Sequence, residues 1–159
     1  MPAPTTRSIS SPFPAAAGAH HRHRGLPLTG IGWEVQAEGL IRLLVRLQEE
    51  YTGPAGVALY VTGNGAAYPD EPDTNGFVQD DDRLDYYDQH LRALHEAIRR
   101  GVDVRGYFAW SLLENYEWSF GYHHRFVIVR VDYDTPVRTP KASALWYSQV
   151  TRNNAVRAR

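Results

Sequence analysis

The chain has 159 residues, 43% hydrophobic and 22% charged, with a formal net charge of −1. That is one ordinary globular domain's worth of sequence, and the near-neutral balance argues against nucleic acid or an anionic membrane surface as partner. It has no cysteine, which excludes a disulfide framework and thiol chemistry.

No apolar run approaches the roughly 20 residues of a membrane helix. The N-terminus also lacks the apolar core of a signal peptide. A cytoplasmic protein is the expectation.

Residues 1–30 are rich in Pro, Ala, Ser and Gly and include Ser11-Pro12-Phe13-Pro14 and the tract His20-His21-Arg22-His23-Arg24. No helical or strand period is visible, so this segment reads as loop or disorder. The tract lacks Cys or carboxylate at ligand spacing and reads as a solvated basic loop, with no metal site. Leu40, Leu44, Leu47 and Tyr51 then recur at helical steps, predicting a helix over 39–51 that Thr52-Gly53-Pro54 ends. Val57 to Thr62 is apolar almost throughout, as in a parallel strand buried on both faces. Gly63-Asn64-Gly65 is expected to stop it.

Residues 66–82 hold Asp70, Glu71, Asp73, Asp80, Asp81 and Asp82 and read as a solvated acidic loop, because the carboxylates lack the EF-hand order. A helix over 84–100 follows, with Leu84, Tyr87, Leu91, Leu94 and Ile98 on one face and Gly101 just past its end. Val104 to Trp110 is the next strand, so 57–110 reads as a parallel βαβ unit. Phe126 to Tyr133 reads as a short strand and Asp134-Thr135-Pro136 as a turn. Thr139-Pro140 is the expected start of a last helix carrying Ala142, Leu145, Trp146 and Val150. The tail 153–159 is expected to fray. No GxGxxG, P-loop or HExxH is present, nor a placeable Ser/His triad, so no cofactor is implied.

The stretch Tyr107 to Trp118 carries the strongest chemical signal. It begins as a buried apolar run and ends in indoles beside carboxylates. That combination suits a sugar: ring faces cover C–H groups and carboxylates accept from hydroxyls. Internal packing of the Trp residues is the plain alternative.

This stretch resembles the last barrel-strand signature of glycoside hydrolase family 1, the β-glucosidase family. Other segments fall in family order. They are Gly32-Trp33-Glu34-Val35, Val61-Thr62-Gly63-Asn64-Gly65, Arg83-Leu84-Asp85-Tyr86, Val131-Asp132-Tyr133 and Thr139-Pro140-Lys141. The resemblance covers roughly residues 10–152.

It implies an α/β fold, the C-terminal portion of a (β/α)₈ barrel, over residues 31–152 and incomplete in this chain. The barrel's active site sits at the carboxyl ends of its strands. The reaction implied is retaining hydrolysis of β-glycosides by two carboxylates. The resemblance puts Trp110 under the sugar, Glu117 on its distal hydroxyls, and Trp118 and Phe126 beside them. The partner implied is a β-glucoside or glucose.

Two departures bear on chemistry. Gly63 stands where the family has its nucleophilic Glu, and no Asn-Glu-Pro acid/base motif is present. Val127 and Arg130 replace an expected Gly and aromatic. A (β/α)₈ barrel takes about 250 residues, so this chain supplies two or three strands with an open sheet edge. The expectation is therefore a β-glucosidase portion inactive by itself. The alternatives are a sugar-binding remnant without chemistry, one chain of a split barrel completed by an N-terminal half, and an unrelated small α/β domain.

Overall fold

In the computed structural model, residues 24–157 are described. Ser11-Pro12-Phe13-Pro14 and His20 to His23 lie outside them. The elements are α1 (Ala37–Leu47), a π turn (Gln48–Thr52), α2 (Gly53–Ala55), β1 (Leu59–Asn64), α3 (Asp81–Arg99), β2 (Val104–Ala109), a 3₁₀ turn (Trp118–Phe120), β3 (Val129–Val131), β4 (Arg138–Pro140) and α4 (Ala142–Asn153).

β1 and β2 pair in parallel across α3, the βαβ unit read from the sequence. Leu59, Val61, Val104 and Tyr107 face the helices. There Leu44 of α1, Leu91, Leu94 and Ala97 of α3 and Val102 form the buried cluster, with Trp146, Tyr147 and Val150 of α4 against it. The opposite face of the two strands is bare: Tyr60 is 54% and Phe108 58% exposed. The expectation of strands covered on both faces is therefore corrected. The helices cover one side, and no described residue covers the other.

Several boundaries shift for identifiable reasons. The backbone stays helical past Thr52, because Pro54 sits in the first turn of α2, where its missing N–H costs nothing. Gly56, at φ +64°, makes the stop. The π turn rotates Tyr51 out of the stripe, leaving it 60% exposed. β1 runs through Gly63 and Asn64 instead of stopping before them. In α3 the buried stripe runs through Tyr87, His90, Leu91, Leu94 and Ala97, while Ile98 is exposed. Gly101 takes φ +91° past the helix end, as read from the sequence.

β3 keeps only Val129–Val131 of the predicted 126–133 strand. It pairs antiparallel with β4, which contains Thr139 and Pro140. Those two residues therefore do not cap α4; Lys141 holds the N-cap position, without a side-chain cap bond. Leu145, predicted on the buried face, is 51% exposed. The tail is tied down as far as Arg157: Val156 packs on the core and Arg92 Nη2 donates to the Arg157 carbonyl at 2.7 Å. Among the described residues no helix is long and apolar enough to cross a membrane.

Candidate functional site

The carboxyl ends of β1 and β2 lie side by side. Trp110 donates its main-chain N–H to the Asn64 carbonyl at 2.8 Å. An irregularity in register between Val61 and Asn64 decides which way each side chain points. Because side chains alternate along a strand, such a bulge re-aims everything after it. Asn64 is turned to the helix side, where it accepts from the Tyr107 hydroxyl at 2.7 Å and donates to the Tyr86 hydroxyl at 3.1 Å. Gly63 is left on the bare face, and a Cβ added there meets nothing within 4 Å.

Trp110 is 44% exposed on the same face. Its carbonyl accepts from the Tyr87 hydroxyl at 2.9 Å, and its peptide bond to Ser111 is cis. Glu117 and Trp118 follow in the loop after β2. Ser111 Oγ donates to Asn115 Oδ1 at 3.1 Å, and Asn115 Nδ2 donates to Glu117 Oε2 at 2.7 Å. The loop is closed by the Glu117 N–H on the Gly121 carbonyl at 2.8 Å. Trp118 is 82% exposed at φ 45°, an unfavourable backbone region for a bulky residue. Such strain tends to be retained where a site uses it.

Gly63, next to Asn64, and Trp110, bonded to Asn64, thus both lie at the strand ends, with Glu117 and Trp118 on the following loop. Phe126 is not on the open surface with them. It is 4% exposed, tilted against Trp33 with ring centroids 6.4 Å apart. Its carbonyl accepts from Ser111 N at 3.4 Å, which puts its backbone beneath the Trp110 loop.

The acidic loop departs furthest from its expected solvated state. Asp70 and Asp80 are not solvated. Their side chains are 1% and 0% exposed and meet Arg83 and Lys141, each 0% exposed. Arg83 Nη1 donates to Asp80 at 2.6 Å and Asp70 at 3.1 Å, and Lys141 Nζ donates to Asp70. Asp80 also accepts from the Ser143 N–H and hydroxyl at 2.8 and 2.6 Å, so the carboxylate of the residue at the N-cap position of α3 caps the start of α4. Burial pulls the Lys141 ammonium down to about 8, helped by the Arg83 charge and opposed by Asp70. The available signal was Asp80 three residues before Arg83, at ion-pair spacing on a helix start.

A cleft of about 370 Å³ lies elsewhere, between residues 27–35, Tyr68, Pro69 and the first turns of α3. None of the predicted site residues lines it. Among the described residues no group of three or more His, Asp or Glu side chains is placed to hold a metal ion.

The sequence profile of Glycosyl hydrolase family 1 matches residues 3–156. The chain is 46% identical over 133 residues to Beta-glucosidase A of Thermotoga maritima, covering 84% of this chain and 29% of that protein. It is 51% identical over 120 residues to the Beta-glucosidase of an Agrobacterium strain, covering 76% of this chain and 25% of that one. Among solved structures it is similar to the Thermotoga maritima β-glucosidase in complex with noeuromycin. The TM-score is 0.84 at 44% identity, covering 91% of this chain and 32% of that one. The chain therefore spans under a third of the length of the relatives it matches.

Proposed function

This chain belongs to glycosyl hydrolase family 1, and from that membership we propose that it is the C-terminal part of a retaining β-glucosidase barrel. In this reading it supplies the sugar-facing side of the site. The relatives named above are β-glucosidases, and the bare face of β1 and β2 is where such a barrel holds its interior. Trp110 stacks on the sugar ring, Glu117 accepts from its hydroxyls, and Trp118 flanks it.

The observation that carries the reading is that Trp110 is bonded to Asn64, the residue after Gly63, at the carboxyl ends of adjacent parallel strands, with open space where a Gly63 side chain would be. Retaining hydrolysis needs a nucleophile and an acid/base about 5–5.5 Å apart. Glycine cannot attack the anomeric carbon, and the acid/base motif is not in this chain. The chain by itself therefore performs no hydrolysis and presents a sugar-binding face.

The test is turnover of an aryl β-glucoside by the purified chain. No turnover is expected, since an enzyme without its catalytic groups keeps only residual rate from binding. Turnover that disappears in Glu117→Ala would overturn the reading.

The bare strand face supports a second arrangement, in which an N-terminal barrel half docks on this chain. Parallel pairing along the free edges and burial of Tyr60 and Phe108 would drive it. In such a complex Gly63→Glu should raise hydrolysis by several orders of magnitude, because covalent catalysis is restored. Equal activity with and without Gly63→Glu would show that Gly63 is not the nucleophile position.

A further inference from the structure

We infer that Arg83 and Lys141 are positioning residues for the sugar-facing loop. Their buried charges hold the main chain of residues 125–127, and that segment fixes Ser111 and, through it, Glu117. Their role toward a sugar rests on the sugar-site reading above; the mechanical link is made of hydrogen bonds alone.

Both cations spend donors on carbonyls as well as carboxylates. Arg83 Nη2 donates to the Arg125 carbonyl at 2.8 Å, and Lys141 Nζ donates to the Val127 carbonyl at 2.6 Å. On its other side Arg83 holds the loop leaving β1, through the Ala66 carbonyl at 3.3 Å and the Tyr68 carbonyl at 3.4 Å. The two side chains thus bridge the exit of β1 to the segment that precedes β3.

That segment is laced to the residues after Trp110. Ile128 N donates to the Ser111 carbonyl at 2.9 Å, and Val129 N donates to the Leu112 carbonyl at 3.1 Å. From Ser111 the order passes through Asn115 to the Glu117 carboxylate. Arg125 adds a side-chain tie, Nη1 to Glu114 Oε1 at 2.7 Å. A helix-borne ion set is a firmer anchor than a loop, since loops open at lower free energy than core elements. Buried charges also enforce geometry, because any displacement leaves one of them unpaired.

Amide hydrogen exchange of the intact chain tests this without sugar. In the wild-type chain under rising denaturant, the Ile128 and Val129 amides should open in the same step as the Ser143 amide. Opening of Ile128 and Val129 at lower denaturant, with Ser143 still protected, would overturn the proposal. In Lys141→Met the Ile128, Val129 and Glu117 amides should exchange at least tenfold faster, with Leu94 and Ala97 within about twofold of wild type. Ser143→Ala removes a donor from the same buried set without touching the 125–127 carbonyls, and it should leave the loop amides unchanged. Uniform acceleration in Lys141→Met, or equal loosening in Ser143→Ala, would reduce the pair to ordinary core stabilisers. If Lys141→Met does not fold, the wild-type measurement decides. Failure of glucose to bind would count against the sugar-site reading and leave this one untouched.

Discussion

Arg83 and Asp80, one helical turn apart, meet at 2.6 Å with both side chains fully withdrawn from solvent. Asp80 is the N-cap of α3 and at the same time accepts from the first turn of α4. Arg83→Met should therefore destabilise the chain by about 3–5 kcal/mol, since removing one partner leaves the other charge buried and unpaired. Denaturant unfolding measures it, and a loss below about 1 kcal/mol would show that the set relaxes to solvent.

The pH dependence of stability has two arms. Lys141 binds its proton more weakly in the folded chain, with its titration near 8 against 10.5 unfolded. Between those values the unfolded state holds more protons, so stability rises with pH from about 8. Burial pushes Tyr68 up to about 12 and raises Tyr87 and Tyr107 further. Above about 10 unfolded tyrosines ionise while these stay neutral, so stability falls there. Melting temperatures across this range should show a maximum in the alkaline region. Lys141→Met should lose the rising arm and keep the falling one.

Gly63 and Gly65 should respond oppositely to a methyl group. A Cβ on Gly63 meets nothing within 4 Å, whereas one on Gly65 lands on the Trp110 carbonyl. That carbonyl is backbone, already held by the Tyr87 hydroxyl, and cannot step aside as a side-chain tip can. Gly63→Ala should change stability by under about 0.5 kcal/mol, as open surface substitutions do. Gly65→Ala should cost about 1–3 kcal/mol or more, the range for overpacking. Equal melting temperatures for the two variants would mean that the strand ends are not packed as described.

The bare sheet face should be sticky. Tyr60, Phe108 and Trp110 stand exposed beside unpaired strand edges, a surface that invites association. The chain alone should bind an apolar dye, aggregate with concentration and melt broadly. Tyr60→Lys with Phe108→Lys should lower both dye binding and aggregation. A sharp two-state melt of a monomer that ignores the dye would argue for an independent small domain.

What the sequence determined by itself follows from local rules. The apolar runs at 57–62 and 104–110 around a periodic α3 specified a parallel βαβ unit. Gly101 marked a left-handed stop. The ordered motifs around Tyr107 to Trp118 point to the family whose profile matches residues 3–156. Each of these depends on residues close together in the chain.

Tertiary structure decided the rest. Asp70 and Lys141 are 71 residues apart, and only the packing of α4 beside α3 turns an apparently solvated acid into half of a buried pair. The bulge between Val61 and Asn64 sets which of Gly63 and Asn64 faces the open side. A period-two pattern cannot announce it, because the shift depends on how β2 pairs. Phe126 is buried in this chain, with Trp33, distant in sequence, tilted against its ring. Burial and pairing are properties of what arrives from elsewhere in the chain, and that information is absent from any local window.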